Sequence, residues 1–148
     1  MKIIVINGPN LNILGKRNKA VYGDKSLSEI TTILQKEAES LGVEILTFQS
    51  NSEGKIIDYI QKQSAHCDGI IINPGALTHY SLSLREALVD SELAVVEVHL
   101  SNIYAREEWR AHSVIAPIAK GQITGFGWRG YVAALRMLVG ELKGESWK

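Results

Sequence analysis

Short apolar runs alternate with longer amphipathic stretches along the whole chain. Runs of this length predict strands, and four of the five are continuous enough for burial on both faces of a parallel sheet. The predicted strands are residues 2–6, 43–49, 69–73, 94–98 and 121–126. Between them, apolar residues recur with the spacing of one helix face, which is typical of βαβ units.

The amphipathic stretches predict four main helices. The first is the best delimited, because Ser26 and Glu29 have the spacing of a capping box and Gly42 suits the position after a helix end. Its apolar positions are Ile30, Ile33, Leu34, Ala38 and Leu41. The other three helices are predicted at 54–65, 81–92 and 129–143.

Five strands and four main helices predict an α/β fold, a flavodoxin-like three-layer α/β/α sandwich. Its five-stranded parallel sheet would most simply have the order 2-1-3-4-5. The 148 residues contain no internal repeat, linker or low-complexity tract. We therefore expect a single domain over residues 1–148.

Composition narrows the range of partners and compartments. Sixteen Lys and Arg residues balance sixteen Asp and Glu residues, which argues against a nucleic-acid partner or a polybasic membrane anchor. No run approaches the roughly 18 apolar residues of a membrane span. The lone Cys67 argues against a disulfide framework, and the chain begins with a strand-like run where a signal peptide would lie. We therefore expect a cytoplasmic protein.

Polar residues follow three of the predicted strands, in the segments 7–12, 73–79 and 97–101. In an open α/β sheet, ligands bind at the carboxyl ends of the strands, near the point where the strand order reverses. Each segment alone is also explained as a turn, because Asn, Gly and Pro are common turn residues. Three such segments at converging strand ends predict a shared pocket.

Segment 7–12 and the loop after it contain candidate catalytic side chains. The segment has three asparagines and lacks the common phosphate-binding patterns, so its amides are candidates for holding a water or a substrate oxygen. In the loop 15–25, Arg17 close to Tyr22 would favour the phenolate and make Tyr22 a usable base. The alternatives are a structural turn and a solvated loop that Tyr22 anchors.

Two pairs of charged residues follow later in the chain. Glu97 and His99 are two apart on a predicted strand, so the carboxylate can orient the ring and favour its protonated form, as in a general acid. Arg106 and Arg110 are four apart and would share a face of a helical turn, where guanidinium groups suit carboxylates or phosphates. The alternatives are an ion pair at the strand end and an exposed face paired with nearby glutamates. Without paired cysteines or an H-E-x-x-H pattern, we expect no metal site.

The chain resembles the type II 3-dehydroquinate dehydratases of the shikimate pathway. The resemblance rests on NGPNLNILG with Arg17 and Tyr22 after it, then INPGALTHYS, then EVHLSNIYAREEWR, in order and spacing from residue 3 to about residue 135. It implies a hydro-lyase of chorismate and aromatic amino acid biosynthesis, which converts 3-dehydroquinate to 3-dehydroshikimate by trans-dehydration through an enolate. It also implies a homododecamer, a tetramer of trimers, with no metal or organic cofactor.

The resemblance also implies roles for individual residues. Tyr22 would be the base that takes a proton from the carbon beside the ketone, and Arg17 would keep it ionised. Asn10 would hold the water that stabilises the enolate. His99 would protonate the departing hydroxyl, and Glu97 would orient His99.

Further residues would bind substrate or close the lid. The substrate-binding set is Asn73, His79, Glu86, Leu100, Ser101 and Arg110. Arg106 would be the partner that closes the lid. Glu86 stands where the family commonly has Asp, at a position that reaches into the neighbouring subunit's site. The Glu side chain is longer than Asp by one methylene group, so the role that the resemblance implies for this position is less direct.

Other functions of the same fold remain as alternatives. A phosphoreceiver needs carboxylates at the ends of the first and third strands, where this chain has Asn7 and Asn73. A flavin-binding electron carrier needs a loop rich in Ser and Thr after the first strand, which is absent. An assembly module without catalysis is the alternative that the sequence leaves open.

Overall fold

A five-stranded parallel sheet forms the centre of the computed structural model, which describes residues 1–146. The strands are β1 (Lys2–Asn7), β2 (Glu44–Gln49), β3 (Gly69–Asn73), β4 (Ala94–His99) and β5 (Gly121–Thr124). Their order is β2-β1-β3-β4-β5, with every neighbouring pair parallel. The predicted fold class and strand order are therefore confirmed.

Helices cover both faces of this sheet. They are α1 (Lys19–Tyr22), α2 (Leu27–Leu41), α3 (Glu53–Gln63), α4 (Leu82–Asp90) and α5 (Arg129–Leu142). Ile3 and Val5 of β1 pack with α2 and α5 on one side, and Ile4 and Ile6 pack with α3 and α4 on the other. The alternation of side chains along β1 therefore divides the core into the two apolar layers of a sandwich.

The cap signals of the first long helix are present in the structure. The Ser26 hydroxyl accepts a hydrogen bond from the Glu29 backbone N–H at 3.1 Å, and Gly42 has the left-handed conformation with φ 69°. These contacts satisfy backbone groups that the helix itself leaves unpaired. They confirm the predicted limits of this helix.

Two local expectations were wrong. Three strands rather than four are buried on both faces, because β2 and β5 are the two edge strands of the sheet and each of their residues keeps partial or full exposure. Loop 15–25 is not wholly irregular, since it contains α1, whose first turn is capped by the Asn18 side chain at Ala20 N–H, 3.1 Å away. Short apolar runs do not reveal which strand lies at an edge.

The loops after β1 and β3 interlock through two dipeptides, Gly8-Pro9 and Pro74-Gly75. A Cβ atom at Gly8 would overlap the Pro74 carbonyl group, and one at Gly75 would lie 3.0 Å from the Pro9 carbonyl oxygen. Gly75 also has φ 60°, which favours glycine. The Gly8 N–H donates to the Asn73 carbonyl at 2.8 Å. Glycine at both positions therefore allows the two loops to meet at one end of the sheet.

Candidate active site

A cleft opens at the carboxyl ends of β1, β3 and β4, where the strand order reverses. Its volume is about 160 Å³, below the range typical of pockets for drug-sized ligands, so it suits a small molecule. Segments 7–12, 73–79 and 97–101 all contribute to its wall, which confirms the predicted shared pocket. The predicted site residues in its lining are Asn10, Arg17, Tyr22, Asn73, His79, His99, Leu100, Ser101, Arg106 and Arg110.

Two of the predicted site residues lie outside this lining. Glu97 is fully buried behind His99, to which it is hydrogen-bonded. Glu86 is exposed on α4 and does not line the cleft of this chain. The structure therefore brings all the predicted residues together except Glu86.

Asn10 lies in a strained backbone conformation at the mouth of the cleft. Its φ of 69° is left-handed, a region in which Asn is more common than most residues other than glycine. Its N–H donates to the Asn51 side chain at 3.0 Å, and Gln49 donates to the same Asn51 oxygen at 3.2 Å. Within residues 1–146 the Asn10 side chain makes no hydrogen bond, so its amide is available to a ligand or a water.

The Tyr22 hydroxyl oxygen accepts hydrogen bonds from two charged side chains. The guanidinium groups of Arg17 and Arg106 donate to its oxygen at 2.9 and 3.0 Å. The Arg17 guanidinium carbon is also 3.9 Å from the centre of the Tyr22 ring. Arg106 donates to the Ser101 hydroxyl at 3.1 Å as well, so it joins α1 to the end of β4. Two cationic side chains therefore converge on one phenolic oxygen that lines the cleft.

His99 and Glu97 form a buried pair, as their spacing on β4 predicts. The His99 Nε2 atom donates to the Glu97 Oε1 atom at 2.7 Å, and the Glu97 side chain has no exposed surface. Because His99 lines the cleft and its Nε2 atom is engaged, its Nδ1 atom is the ring nitrogen available to a ligand. The pair has the arrangement of a proton donor oriented by a carboxylate.

Three uncharged side chains complete the surroundings of Glu97: Thr78, Ser113 and Gln122. Thr78 donates to Oε1, the Ser113 hydroxyl lies 2.9 and 3.0 Å from the two oxygens, and Gln122 donates to Oε2 at 3.1 Å. Burial alone would raise the pKa of Glu97, but the hydrogen bonds and the charge of His99 outweigh it and hold the pKa below its usual range. Glu97 is therefore ionised at neutral pH.

His79 presents a neutral ring to the cleft. Its Nδ1 atom donates to the His112 carbonyl at 2.7 Å, which leaves Nε2 as an acceptor. Burial lowers the pKa of His79, the charge of Arg110 adds to this, and the hydrogen bond to His112 opposes it. Trp109 packs edge-on against His79, with ring centres 5.1 Å apart. Trp109 lines the cleft but was not predicted, although its aromatic ring stands inside a string that carried the resemblance.

Arg106 and Arg110 do not share a helical turn, contrary to the sequence prediction. Arg106 has extended backbone between two short 3-10 turns, Ile103–Ala105 and Glu108–Ala111. Arg110 forms an ion pair with Glu107, which was the alternative partner considered for this stretch. Both arginines nevertheless line the cleft, because the 3-10 turns fold the chain back across the end of β4.

Tyr131 supports the cleft from behind, and the sequence pattern did not indicate it. This tyrosine of α5 is fully buried, accepts a hydrogen bond from the Asn73 amide at 3.0 Å and donates to Asn7 Oδ1 at 2.5 Å. The Asn73 Oδ1 atom accepts from Gly75 N–H at 3.1 Å. The amide of Asn73 is thus held at both ends before any ligand binds.

Replacing Tyr131 by Phe should destabilise the protein by about 1–3 kcal/mol. The change leaves the Asn73 amide and the Asn7 oxygen buried without their partner, and such groups cost about this much when unsatisfied. Urea unfolding measures the loss. Tyr59→Phe is the matched control, because the Tyr59 hydroxyl makes no hydrogen bond within residues 1–146. Equal stability of the two variants would contradict the role assigned to the Tyr131 hydroxyl.

The described part of the chain has neither a membrane-spanning helix nor a cluster of metal-binding side chains. None of the helices in residues 1–146 is both long and apolar enough to cross a membrane. Over the same residues, no group of three or more His, Cys, Asp or Glu side chains is placed to hold a metal ion.

Comparison with known proteins identifies the family. Residues 1–139 match the profile of the family described as "Dehydroquinase class II". The 3-dehydroquinate dehydratase of Roseiflexus castenholzii is 58% identical over 95% of this chain and 89% of that protein. The enzyme of the same name from Halothermothrix orenii is 53% identical over 99% of both chains.

A solved structure agrees with these sequence relatives. The crystal structure of the type II dehydroquinase from Butyrivibrio crossotus has a TM-score of 0.91 and 47% identity, and the match covers 93% of this chain and 97% of that one. The profile, the relatives and the fold point to one family. The chain described here belongs to the class II dehydroquinases.

Proposed function

We propose that this chain, as a single domain, is a hydro-lyase that converts 3-dehydroquinate to 3-dehydroshikimate by trans-dehydration in the shikimate pathway. The observation that carries the proposal is a Tyr22 hydroxyl with two guanidinium donors in the same cleft as the buried pair of His99 and Glu97. A base and an acid at one small cavity match the removal of a carbon-bound proton and of a hydroxyl group. Family membership and the names of the relatives support the choice of substrate.

Tyr22 acts as the base in this proposal. Its phenolate, stabilised by Arg17 and Arg106, takes the proton from the carbon beside the ketone, and the C–H bonding electrons form an enolate. Developing charge on the enolate oxygen needs an oriented donor. Asn10, whose backbone is held through Asn51, supplies it by holding a water molecule.

His99 acts as the acid. Its Nδ1 proton passes to the departing hydroxyl, the C–O bond breaks, and the enolate electrons form the new C=C bond while the ketone is restored. Water leaves, and Glu97 keeps the ring oriented through Nε2. At the end Tyr22 has gained one proton and His99 has lost one, so exchange with solvent returns both to their starting forms.

The remaining predicted residues hold the substrate. The backbone N–H groups of Leu100 and Ser101, together with the Arg110 guanidinium, receive the carboxylate. Asn73 and the neutral ring of His79 bind the substrate hydroxyls, with His79 Nε2 as acceptor. Arg106 closes the loop that carries Tyr22 over the bound substrate. These steps use side chains, backbone N–H groups and one water molecule, and none requires a metal or an organic cofactor.

An ultraviolet assay tests the function directly. The product contains a conjugated enone, so incubation of the purified protein with 3-dehydroquinate should produce a rise in absorbance. The rise should persist after dialysis against EDTA. No rise with folded protein would contradict the proposed reaction.

Glu97→Gln should remove part of the acid sensitivity of folding. A carboxylate whose pKa is lowered by folding contributes stability above its unfolded pKa, and this contribution is lost as pH falls through the folded pKa. The wild type should therefore lose stability below about pH 5, and the difference between wild type and Glu97→Gln should shrink in acid. Urea unfolding from pH 7 to pH 3 measures it, and a difference constant with pH would contradict it. The pKa values of Glu37 and Glu107 are also lowered. Both residues are present in the wild type and in the variant, so their contributions to the pH dependence cancel in the difference between the two proteins.

Assembly into a homododecamer in the cytoplasm is also part of the proposal. Leu82, Val89 and Tyr80 are 62%, 51% and 64% exposed, and they form an apolar surface around Glu86 on and beside α4. Apolar surface of this kind is typical of subunit contacts, and a Glu86 within it fits a residue that reaches a neighbouring cleft. The free, buried Cys67 fits a reducing compartment. Light scattering of the purified protein should give the mass of twelve chains, and a monomer would contradict the assembly.

A further inference from the structure

The two oxygens of the Glu97 carboxylate have different hydrogen-bond donors. Oε1 accepts from His99 and Thr78, and Oε2 accepts from Gln122 Nε2 at 3.1 Å. Ser113 lies within reach of both oxygens, but its hydroxyl carries one proton and serves one of them at a time. Among the described residues, Gln122 is therefore the only donor devoted to Oε2.

Gln122 is itself oriented by a residue on the surface. The Tyr104 hydroxyl donates to Gln122 Oε1 at 2.6 Å, which turns the Nε2 end of the amide toward Glu97. Tyr104 lies in the 3-10 turn Ile103–Ala105 and is 54% exposed, and its backbone N–H is held by the Asn102 side chain at 3.1 Å. A hydrogen-bonded chain thus runs from the surface through Gln122 and Glu97 to His99.

We propose that Tyr104 and Gln122 are positioning residues that hold the Glu97 carboxylate against His99 and so keep His99 competent as the proton donor. The inference rests on the proposed roles of His99 and Glu97 and extends them to two residues that do not line the cleft. Because neither residue lines the cleft, we expect neither to contact the substrate.

The physical reason is the cost of a buried charge. Glu97 has no contact with solvent, so each donor that is lost makes its ionised form less favourable. A Glu97 carboxylate that is less well stabilised holds the His99 ring less firmly and favours the protonated ring less. The other titratable groups facing Glu97 are His99 on its own strand and His79 on the turn after β3, with Arg110 beyond His79. The test variants leave all three unchanged.

Gln122→Met and Tyr104→Phe test the proposal with small changes of shape. Met has nearly the length of Gln but no amide donor, and Phe lacks only the hydroxyl. For Gln122→Met we expect kcat at pH 7 to fall about three- to tenfold with KM within about twofold, because a hydrogen bond to a charged group is lost. The basic limb of the kcat profile, where the proton donor His99 loses its proton, should move down by roughly half to one pH unit. Tyr104→Phe should change kcat and the limb in the same direction by less.

A double-mutant cycle shows whether Tyr104 acts on His99 through Gln122 or whether the two residues act independently. Because Tyr104 acts through Gln122, Tyr104→Phe should change neither kcat nor the basic limb in the Gln122→Met background. Tyr59→Phe is the control, since its hydroxyl makes no hydrogen bond within residues 1–146. A purely structural role would lower the melting temperature without moving the basic limb.

The proposal is overturned if the wild type is active and the basic limb stays in place in Gln122→Met. It is also overturned if Tyr104→Phe costs as much in the Gln122→Met background as in the wild type. Nitrogen NMR of the His99 ring in the free enzyme gives a readout without turnover, in which Gln122→Met should alter the pH dependence of the Nε2 signal. If the wild type shows no dehydration, the proposed function fails, while the NMR titration still decides whether the pair acts on His99.

Discussion

Tyr22→Phe is expected to lower kcat by about 10²–10⁴-fold, the usual worth of general base catalysis, with little change in stability. Phe keeps the ring that packs 3.9 Å from the Arg17 guanidinium and removes only the oxygen that Arg17 and Arg106 contact. Tyr22 is partly exposed on the short helix α1, so the fold should tolerate the change. The ultraviolet assay gives the loss of kcat, and circular dichroism checks the fold.

A second measurement shows which step is lost. Without the base, the enolate does not form, so Tyr22→Phe should also stop exchange of the α-proton of bound substrate with deuterated solvent. Near wild-type turnover together with a normal circular dichroism spectrum would show that Tyr22 is not the base.

His99→Ala should reduce kcat by a similar factor of about 10²–10⁴ but should leave α-proton exchange in place. Hydroxide is a poor leaving group, so loss of the proton donor harms elimination more than enolate formation. Tyr22 keeps both of its guanidinium donors in this variant. NMR of the substrate in deuterated solvent follows the exchange, and the ultraviolet assay follows the elimination.

The His99→Ala variant also removes one hydrogen-bond donor from the buried Glu97 carboxylate. A second variant is needed to control for this loss. Thr78, Ser113 and Gln122 still contact the carboxylate, and in His99→Gln an amide donor replaces the ring nitrogen. Both variants should lose turnover and keep exchange. If His99→Ala abolishes exchange as completely as Tyr22→Phe, the division of labour between the two residues is wrong.

Local pattern was enough to predict the parts of the site that depend on one element. Alternation along β4 placed Glu97 and His99 on one face because strand geometry has a period of two whatever the surroundings. The strand-end rule placed the segments 7–12 and 73–79 in one cleft because the carboxyl ends of parallel strands share an edge. Individual roles came from the resemblance to a family, since spacing alone left each motif with an ordinary structural explanation.

Contacts between distant elements could not be predicted in this way. Tyr131 lies 58 residues after Asn73, and only the packing of α5 against the sheet brings their side chains together. Gln122 reaches Glu97 because β5 pairs in register with β4. The spacing of Arg106 and Arg110 was misinterpreted because 3-10 turns and a helical turn have similar sequences but place residues four apart differently.

The reciprocal packing of Gly8-Pro9 against Pro74-Gly75 has a consequence for engineering. The backbone of each loop limits the conformations open to the other. A new loop grafted after β1 would therefore have to fit against the existing loop after β3. Transplanting one of them from a related protein would displace both Asn10 and Asn73. A change of substrate preference at this end of the cleft therefore has to exchange the two loops as one cassette.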